Sequence, residues 1–183
     1  SSSKGAAEIA INSWRRSFFN PADYGKKHHV ALASVRAGNV IGGGDWALDR
    51  IIPDCIRALE ADKPIEIRSP KAIRPWQHVL EPLGGYMLLA SKMWEEPTKY
   101  CEGWNFGPRT ESIANVWDVA SKIINNYGKG ELKDVSDPNA LHEAKLLMLD
   151  INKAHFKLGW EPRMNIDQCM AMVADWYKRY QNE

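Results

Sequence analysis

Ser34-Val-Arg-Ala-Gly-Asn-Val-Ile-Gly-Gly-Gly-Asp-Trp-Ala-Leu-Asp-Arg50 is the stretch on which the reading of the fold turns. The apolar run leading into it, Val30-Ala-Leu-Ala-Ser-Val35, predicts a strand buried on both faces, as in parallel sheets. The chain then turns over Asn39 and opens into Gly42, Gly43 and Gly44 ahead of Trp46 and Arg50. Consecutive glycines allow backbone conformations that other residues resist, and they let a ligand approach the main chain. In open α/β sheets, ligands bind outside the carboxyl ends of such strands. Three glycines alone serve a structural turn as well as a ligand loop, so the neighbouring residues must decide.

Upstream, Ala7, Ile11, Trp14 and Phe18 recur at helical spacing and predict one long helix with an apolar face, ended by Asn20-Pro21. Downstream, Ile52, Cys55, Ile56 and Leu59 mark a second helix over residues 51–61. A short alternating strand follows over Pro64-Ile-Glu-Ile-Arg68, then an extended piece over Ile73 to Val79. A third helix is expected over 80–94 with Leu83, Met87, Leu88 and Ala90 on its apolar face, and a strand over 103–107. Residues 115–127 predict a helix with Val116, Val119, Ile123 and Ile124 inward, stopped by Gly128. Short strands are expected over 131–135 and 145–150, and a short helix over 152–158 with Asn152 as its cap. An amphipathic helix over 165–180 closes the chain. Strands alternating with helices predict an α/β fold.

The chain has 183 residues, 44% of them hydrophobic and 26% charged, which suits a folded globule rather than disorder. Lys plus Arg number 24 against 23 Asp plus Glu, a formal charge of +1. That balance provides no broad field to hold nucleic acid or an anionic membrane. The short basic cluster Lys26-Lys-His-His29 reads as a solvated loop. Three widely spaced cysteines, Cys55, Cys101 and Cys169, suggest neither a disulfide framework nor a zinc site and favour a reduced, cytoplasmic compartment. No apolar run is long enough to span a bilayer, and His28, His29 and His155 have no metal-ligand spacing, so no metal is expected.

Ser1-Ser-Ser-Lys-Gly-Ala-Ala-Glu8 resembles the segment after the catalytic tyrosine of extended short-chain dehydrogenase/reductases, where Tyr-x-x-x-Lys opens a helix. Lys4 matches the lysine, so the tyrosine would stand immediately before Ser1 and the chain would be part of a longer protein. Residues four apart share a helix face, and an ammonium beside a phenol favours the phenolate, making it a usable base. Alone, Lys4 reads as a solvated lysine at a helix start; the motifs that follow turn the reading toward the catalytic position. Arg36-Ala-Gly-Asn-Val-Ile-Gly42 resembles the family's Arg-x-x-Asn-x-x-Gly segment. The resemblance sets the main chain of Ala37, Gly38 and Val40 against the nicotinamide, with Asn39 donating to the sugar nucleotide and Arg50 meeting its diphosphate. Ile73-Arg-Pro-Trp-Gln-His-Val79 resembles the Arg-Asp-Trp-x-x-Val element of nucleotide-sugar dehydratases, with Pro75 where aspartate is common. It implies Arg74 as the forked donor to diphosphate, and Ile67 and Arg68 as the frame of the nucleobase. Asn105-Phe-Gly-Pro108 and Leu158-Gly-Trp-Glu-Pro162 complete the series.

The implied fold is α/β, the carboxyl-terminal half of such an enzyme: a remnant of the NAD-binding Rossmann domain over 1–40 and 78–107, and a sugar-nucleotide-binding lobe over 41–77 and 108–183. The implied cofactor is NAD and the implied substrate a CDP-sugar. The reaction would be loss of water through oxidation and re-reduction, feeding dideoxysugars of bacterial surface polysaccharide such as O-antigen. A homodimer through the opening helix is also implied, burying Ile11, Trp14 and Phe18. Relatives carry Arg-Pro-Gly-His-Asp where this chain has Asn139-Ala-Leu-His142-Glu143, so His142 stands as a substitute for their phosphate-binding arginine or as a structural hydrogen bonder. No Gly-x-x-Gly-x-x-Gly loop with a following acidic residue occurs, so the adenosine side of NAD has no cradle in this sequence and the chain alone is expected to be inactive. An epimerase of the same family and a non-catalytic binding or dimerisation fragment are the other readings. Asp45, Asp49 and Asp54 fit charge compensation at a helix start, and Trp76 a core or a ligand-stacking role.

Overall fold

The computed structural model describes residues 2–137 and 146–182. In chain order come helix α1 (Ser2–Ser17), strands β1 (Ser34–Ala37) and β2 (Asn39–Ile41), helix α2 (Ile51–Glu60), and strands β3 (Ile65–Ile67), β4 (Ile73–Arg74) and β5 (Trp76–His78). Helix α3 (Leu80–Glu95), strands β6 (Gly103–Phe106) and β7 (Ala114–Asn115), and helix α4 (Val116–Tyr127) follow. Strand β8 (Leu132–Asp134) and helices α5 (Asn152–Leu158) and α6 (Ile166–Gln181) complete the chain. The α/β character read from the sequence is observed.

Two compact units divide these elements: Ser1–Ala37, Pro82–Phe106 and Asp150–Glu161 in the first, Gly38–Glu81, Gly107–Leu149 and Pro162–Glu183 in the second. In the first, β1 pairs in parallel with β6. Trp104 and Phe106 of β6 are fully buried, and Leu89, Ala154, Leu158 and Trp160 pack around them. The Trp160 ring meets Phe106 edge-on at 5.0 Å. These contacts hold 150–161 in the first unit, a stretch that the sequence division had grouped with the second.

The second unit holds three strand pairs: β2 with β5 and β3 with β8, both parallel, and β4 with β7, antiparallel. Helices α2, α4 and α6 bury Ile52, Cys55, Ile56, Leu59, Val119, Ile123, Met170, Val173 and Tyr177 in one core. Their ends are built as the sequence dictates. The Asn115 side chain accepts from Asp118 N at 2.8 Å. Gly128 takes a left-handed φ of 93° that ends α4. Asn165 and Gln168 form a reciprocal capping box on α6.

Several local expectations are corrected. The strand expected over Val30 to Val35 begins only at Ser34, and Val35 is 39% exposed, because β1 has a single strand neighbour among the described residues. The α1 expectation is not among them: Trp14 and Phe18 are 57% and 63% exposed and Ile11 is half-buried in the single chain, and their burial is expected only in a dimer. On α3 the buried residues are Glu81, Pro82, Gly85 and Leu89, while Leu83 and Met87 are exposed. Gly85 explains the choice: a Cβ there would run into the Phe106 ring, so the glycine side is the one that packs. Between 146 and 150 only a single bridge forms, Leu146 to Ile73. Asn152 is the first residue of α5 rather than its cap, and the Asp150 carboxylate accepts its N–H at 2.8 Å.

Ile123 is fully buried in the core of the second unit, and truncating such a side chain leaves a cavity. Ile123→Ala should lower unfolding free energy by about 2–5 kcal/mol, read from urea denaturation followed by circular dichroism.

Candidate functional site

In the second unit, a cleft of about 620 Å³ is framed by the ends of short strands. Asn39 reaches it from β2, whose position is set by the Asn39 N–H donating to Pro75 O at 2.9 Å. A Cβ on Gly38 would collide with Pro75, so the glycine and the proline fit one another. Ile67 and Arg68 contribute from β3 and the residue after it, Arg74 and Trp76 from β4 and β5, and Ile51 and Asp54 from the start of α2.

Four of the residues singled out from the sequence therefore line one cleft: Asn39, Ile67, Arg68 and Arg74. Arg74 donates to the Ile73 carbonyl at 2.8 Å. Arg68 pairs with Asp49 at 3.0 Å, with both side chains well exposed. Arg50 does not line the cleft; its guanidinium sits on Asp45 at 3.0 Å. Burial opposes ionisation of Asp45, but the Ala47 N–H and the Arg50 guanidinium together hold its carboxyl below the ordinary value of 3.8. Val40 faces solvent, and Ala37 ends β1 in the first unit. Lys4 is exposed in the first turn of α1, in the first unit, with no ion pair among the described residues. His142 lies outside the described residues. Among the described residues no group of His, Cys, Asp and Glu could hold a metal ion, and no helix is long and apolar enough to cross a membrane.

The three aspartates divide. Asp54 stands in the first turn of α2 and pairs with Arg57, as helix-start compensation requires. Asp45 and Asp49 instead hold Arg50 and Arg68. Glu66 and Asp49 line the cleft and did not stand out in the sequence as site residues. Glu66 was accessible through the alternation of Pro64-Ile-Glu-Ile-Arg68, which turns it away from buried Ile65 and Ile67. Asp49 carried no such signal, since its φ of 59° shows only in three dimensions. Trp76 belongs both to the core and to the cleft wall, and its indole N–H is buried without a hydrogen-bond partner among the described residues.

Gly42, Gly43 and Gly44 do not line this cleft. A Cβ on Gly43 would overlap the Trp176 ring of α6, and one on Gly42 would lie 3.0 Å from Val79. Packing under the Trp176 ring thus requires glycine at position 43, and a φ of 77° favours it at position 44, which is a structural use of the run.

No protein-family model matches the chain. Its sequence is 48% identical over 180 residues to CDP-glucose 4,6-dehydratase of Salmonella typhimurium, covering 98% of this chain and 50% of the relative. Among solved structures, dTDP-glucose 4,6-dehydratase of Bacillus anthracis in complex with NAD matches 99% of this chain and 52% of its own, with a TM-score of 0.78 at 18% identity. This is the fold of the extended short-chain dehydrogenase/reductases. UDP-glucuronic acid 4-epimerase of Bacillus cereus, in complex with UDP-glucuronic acid and NAD, matches 94% of the chain and 50% of its own, with a TM-score of 0.72 at 19% identity. The chain spans about half the length of the extended short-chain dehydrogenase/reductases it matches.

The packing of Gly43 is directly testable. Gly43→Ala should destabilise the chain by roughly 1–3 kcal/mol, and Trp176→Ala in the same chain should make the added methyl nearly neutral, both measured by urea unfolding.

Proposed function

We propose that the chain is the substrate-side part of an NAD-dependent nucleotide-sugar 4,6-dehydratase, a hydro-lyase that converts CDP-glucose to CDP-4-keto-6-deoxyglucose. The observation that carries this reading is the convergence of Asn39, Ile67, Arg68 and Arg74 on one cleft, in a chain 48% identical to a CDP-glucose 4,6-dehydratase. Arg74 offers a planar fork suited to a diphosphate, and Asn39 can donate from its amide to the sugar nucleotide. Arg68 and the main chain at Ile67 frame the base. Of the acidic side chains around the cleft, Asp49, Asp54 and Glu66 each pair with a cation, Arg68, Arg57 and Lys133, which offsets their repulsion of a diphosphate. Arg50, tied to Asp45, reaches a diphosphate only by exchanging that exposed pair, which costs little in water. His142 is proposed as a further phosphate contact.

NAD, when bound, supplies a hydride acceptor at sugar carbon 4 and a donor at carbon 6. Lys4 fits the ribose side of that group, being exposed and unpaired among the described residues, and it would also support a tyrosine base four residues before it. The main chain at Ala37, Gly38 and Val40 would lie against the nicotinamide. By this reading the first unit is what remains of a Rossmann domain and the second is the sugar-nucleotide lobe. The enzyme would work in the cytoplasm, on the way to the dideoxysugars of surface polysaccharide. A sister epimerase would use the same cleft, and the 48% identity to a dehydratase favours the dehydratase.

The exposed Trp14 and Phe18 of α1 support a homodimer through that helix. Light scattering at micromolar concentration should give twice the chain mass, and a monomer would rule the arrangement out.

Isothermal titration with CDP should show binding to the 183-residue chain, weakened roughly 10- to 100-fold in Arg74→Ala. Incubation with CDP-glucose and NAD should give no 4-keto product, since the dinucleotide phosphate loop is absent from the sequence. No CDP binding, or an unchanged affinity in the variant, would overturn the assignment of the cleft.

A further inference from the structure

The loop between β2 and α2 is fastened at its middle by side chains that never reach the cleft. Tyr177 of α6, fully buried, donates its hydroxyl to the Asp45 carbonyl at 2.7 Å. Its neighbour Trp176 fills the space over Gly43 and stacks on Tyr180 at 5.3 Å. Trp46 closes against Tyr177 at 5.2 Å and Tyr180 at 5.5 Å. From α2, Arg57 donates to the carbonyls of Trp46 at 3.1 Å and Ala47 at 3.2 Å. The chain then passes through Asp49, whose left-handed backbone is uncommon for a residue other than glycine, and enters α2 at Ile51. Asp49 and Ile51 both stand in the wall of the cleft, and Asp49 holds Arg68 there.

A loop of this composition has little reason to keep one shape unaided. Three glycines supply freedom, and Gly44 already stands at a φ of 77°. The exposed pairs Arg50 with Asp45 and Arg68 with Asp49 are each weak in water. The bond from the fully buried Tyr177 to the Asp45 carbonyl and the close approach of the Trp176 ring to Gly43 are the contacts that remain to select a single conformation.

We propose that Tyr177 is a positioning residue of the cleft: by bonding the Asp45 carbonyl beside the Trp176 clasp, it fixes the 42–50 loop so that Asp49 stands at the cleft and holds Arg68. The final helix thereby sets the geometry of one cleft wall from behind. The consequence for ligand binding rests on the reading of the cleft as a nucleotide-sugar site, whereas the order imposed on the loop does not.

The test is Tyr177→Phe in the 183-residue chain, which keeps the ring and removes only the hydroxyl. Limited trypsin digestion reads loop order at the exposed Arg50–Ile51 bond, because cleavage tracks local opening. Cleavage there should quicken about tenfold, the worth of one hydrogen bond, while the cut within α4, after Lys122, keeps its rate. A residue with a merely structural role would speed both cuts together, and that outcome, or an unchanged rate at Arg50, overturns the proposal. Titration with CDP in parallel should show roughly tenfold weaker binding by the variant. Equal affinity of variant and wild type would sever the loop from the cleft and also count against the proposal. Failure of the wild-type chain to bind CDP would remove the nucleotide-sugar reading, and the digestion would still decide whether Tyr177 orders the loop.

Discussion

The second unit depends on one close approach, the Trp176 ring lying where a side chain at residue 43 would stand. A tryptophan this near a main chain demands glycine, and glycine in turn surrenders the stiffness that a loop beside a cleft requires. The structure restores that stiffness with Tyr177, Trp46 and Arg57 around the same loop. Because α6 also buries Met170 and Val173 against α2 and α4, the loop is tied to the best-packed part of the unit. Burial in such a core resists opening far more than exposed ion pairs do, so the order of the loop follows from the order of the core.

How much of this was legible in the sequence depends on which physical signal each residue carried. Helix α2 was readable because Ile52, Cys55, Ile56 and Leu59 repeat at one spacing and all four are buried. The ends of α4 and α6 were readable because asparagine and glycine perform capping chemistry that few residues can. Helix α3 misled because it is apolar on more than one side: Leu83 and Met87 are larger than Gly85, and hydrophobicity ranks them first. What decides the packed side is access, and Gly85 is the position against which Phe106 can lie. Hydrophobic periodicity measures how much a face would gain from burial and says nothing about which partner can approach it.

The same distinction separates the two kinds of candidate site residue. Asn39 and Arg74 are carried into the cleft by regular strands, so their placement follows from register: Asn39 opposite Trp76, and Arg74 opposite Ala114. Arg50 sits outside regular structure, at the non-helical entry to α2, and there the nearest carboxylate decides where a guanidinium points. That carboxylate is Asp45, itself held by the Ala47 N–H at 3.1 Å. A motif can specify that a basic residue stands at the head of a helix without specifying its direction.

The glycine run shows how a correct location can be reached through an incomplete mechanism. Glycines beside a strand end suggest a ligand near the main chain, because ligands and side chains make the same steric demand: something flat must come within van der Waals distance of the backbone. In this chain the flat object is the indole of Trp176, supplied from more than a hundred residues downstream, and the cleft is walled instead by residues on either side of the loop, Asn39 before it and Asp49 and Ile51 within and after it. The glycines therefore act on the site at one remove, by letting α6 grip the segment that carries Asp49. A sequence displays the steric permission that glycine grants; only the fold shows which neighbour uses it, and in this unit the user is a helix that shapes the cleft without entering it.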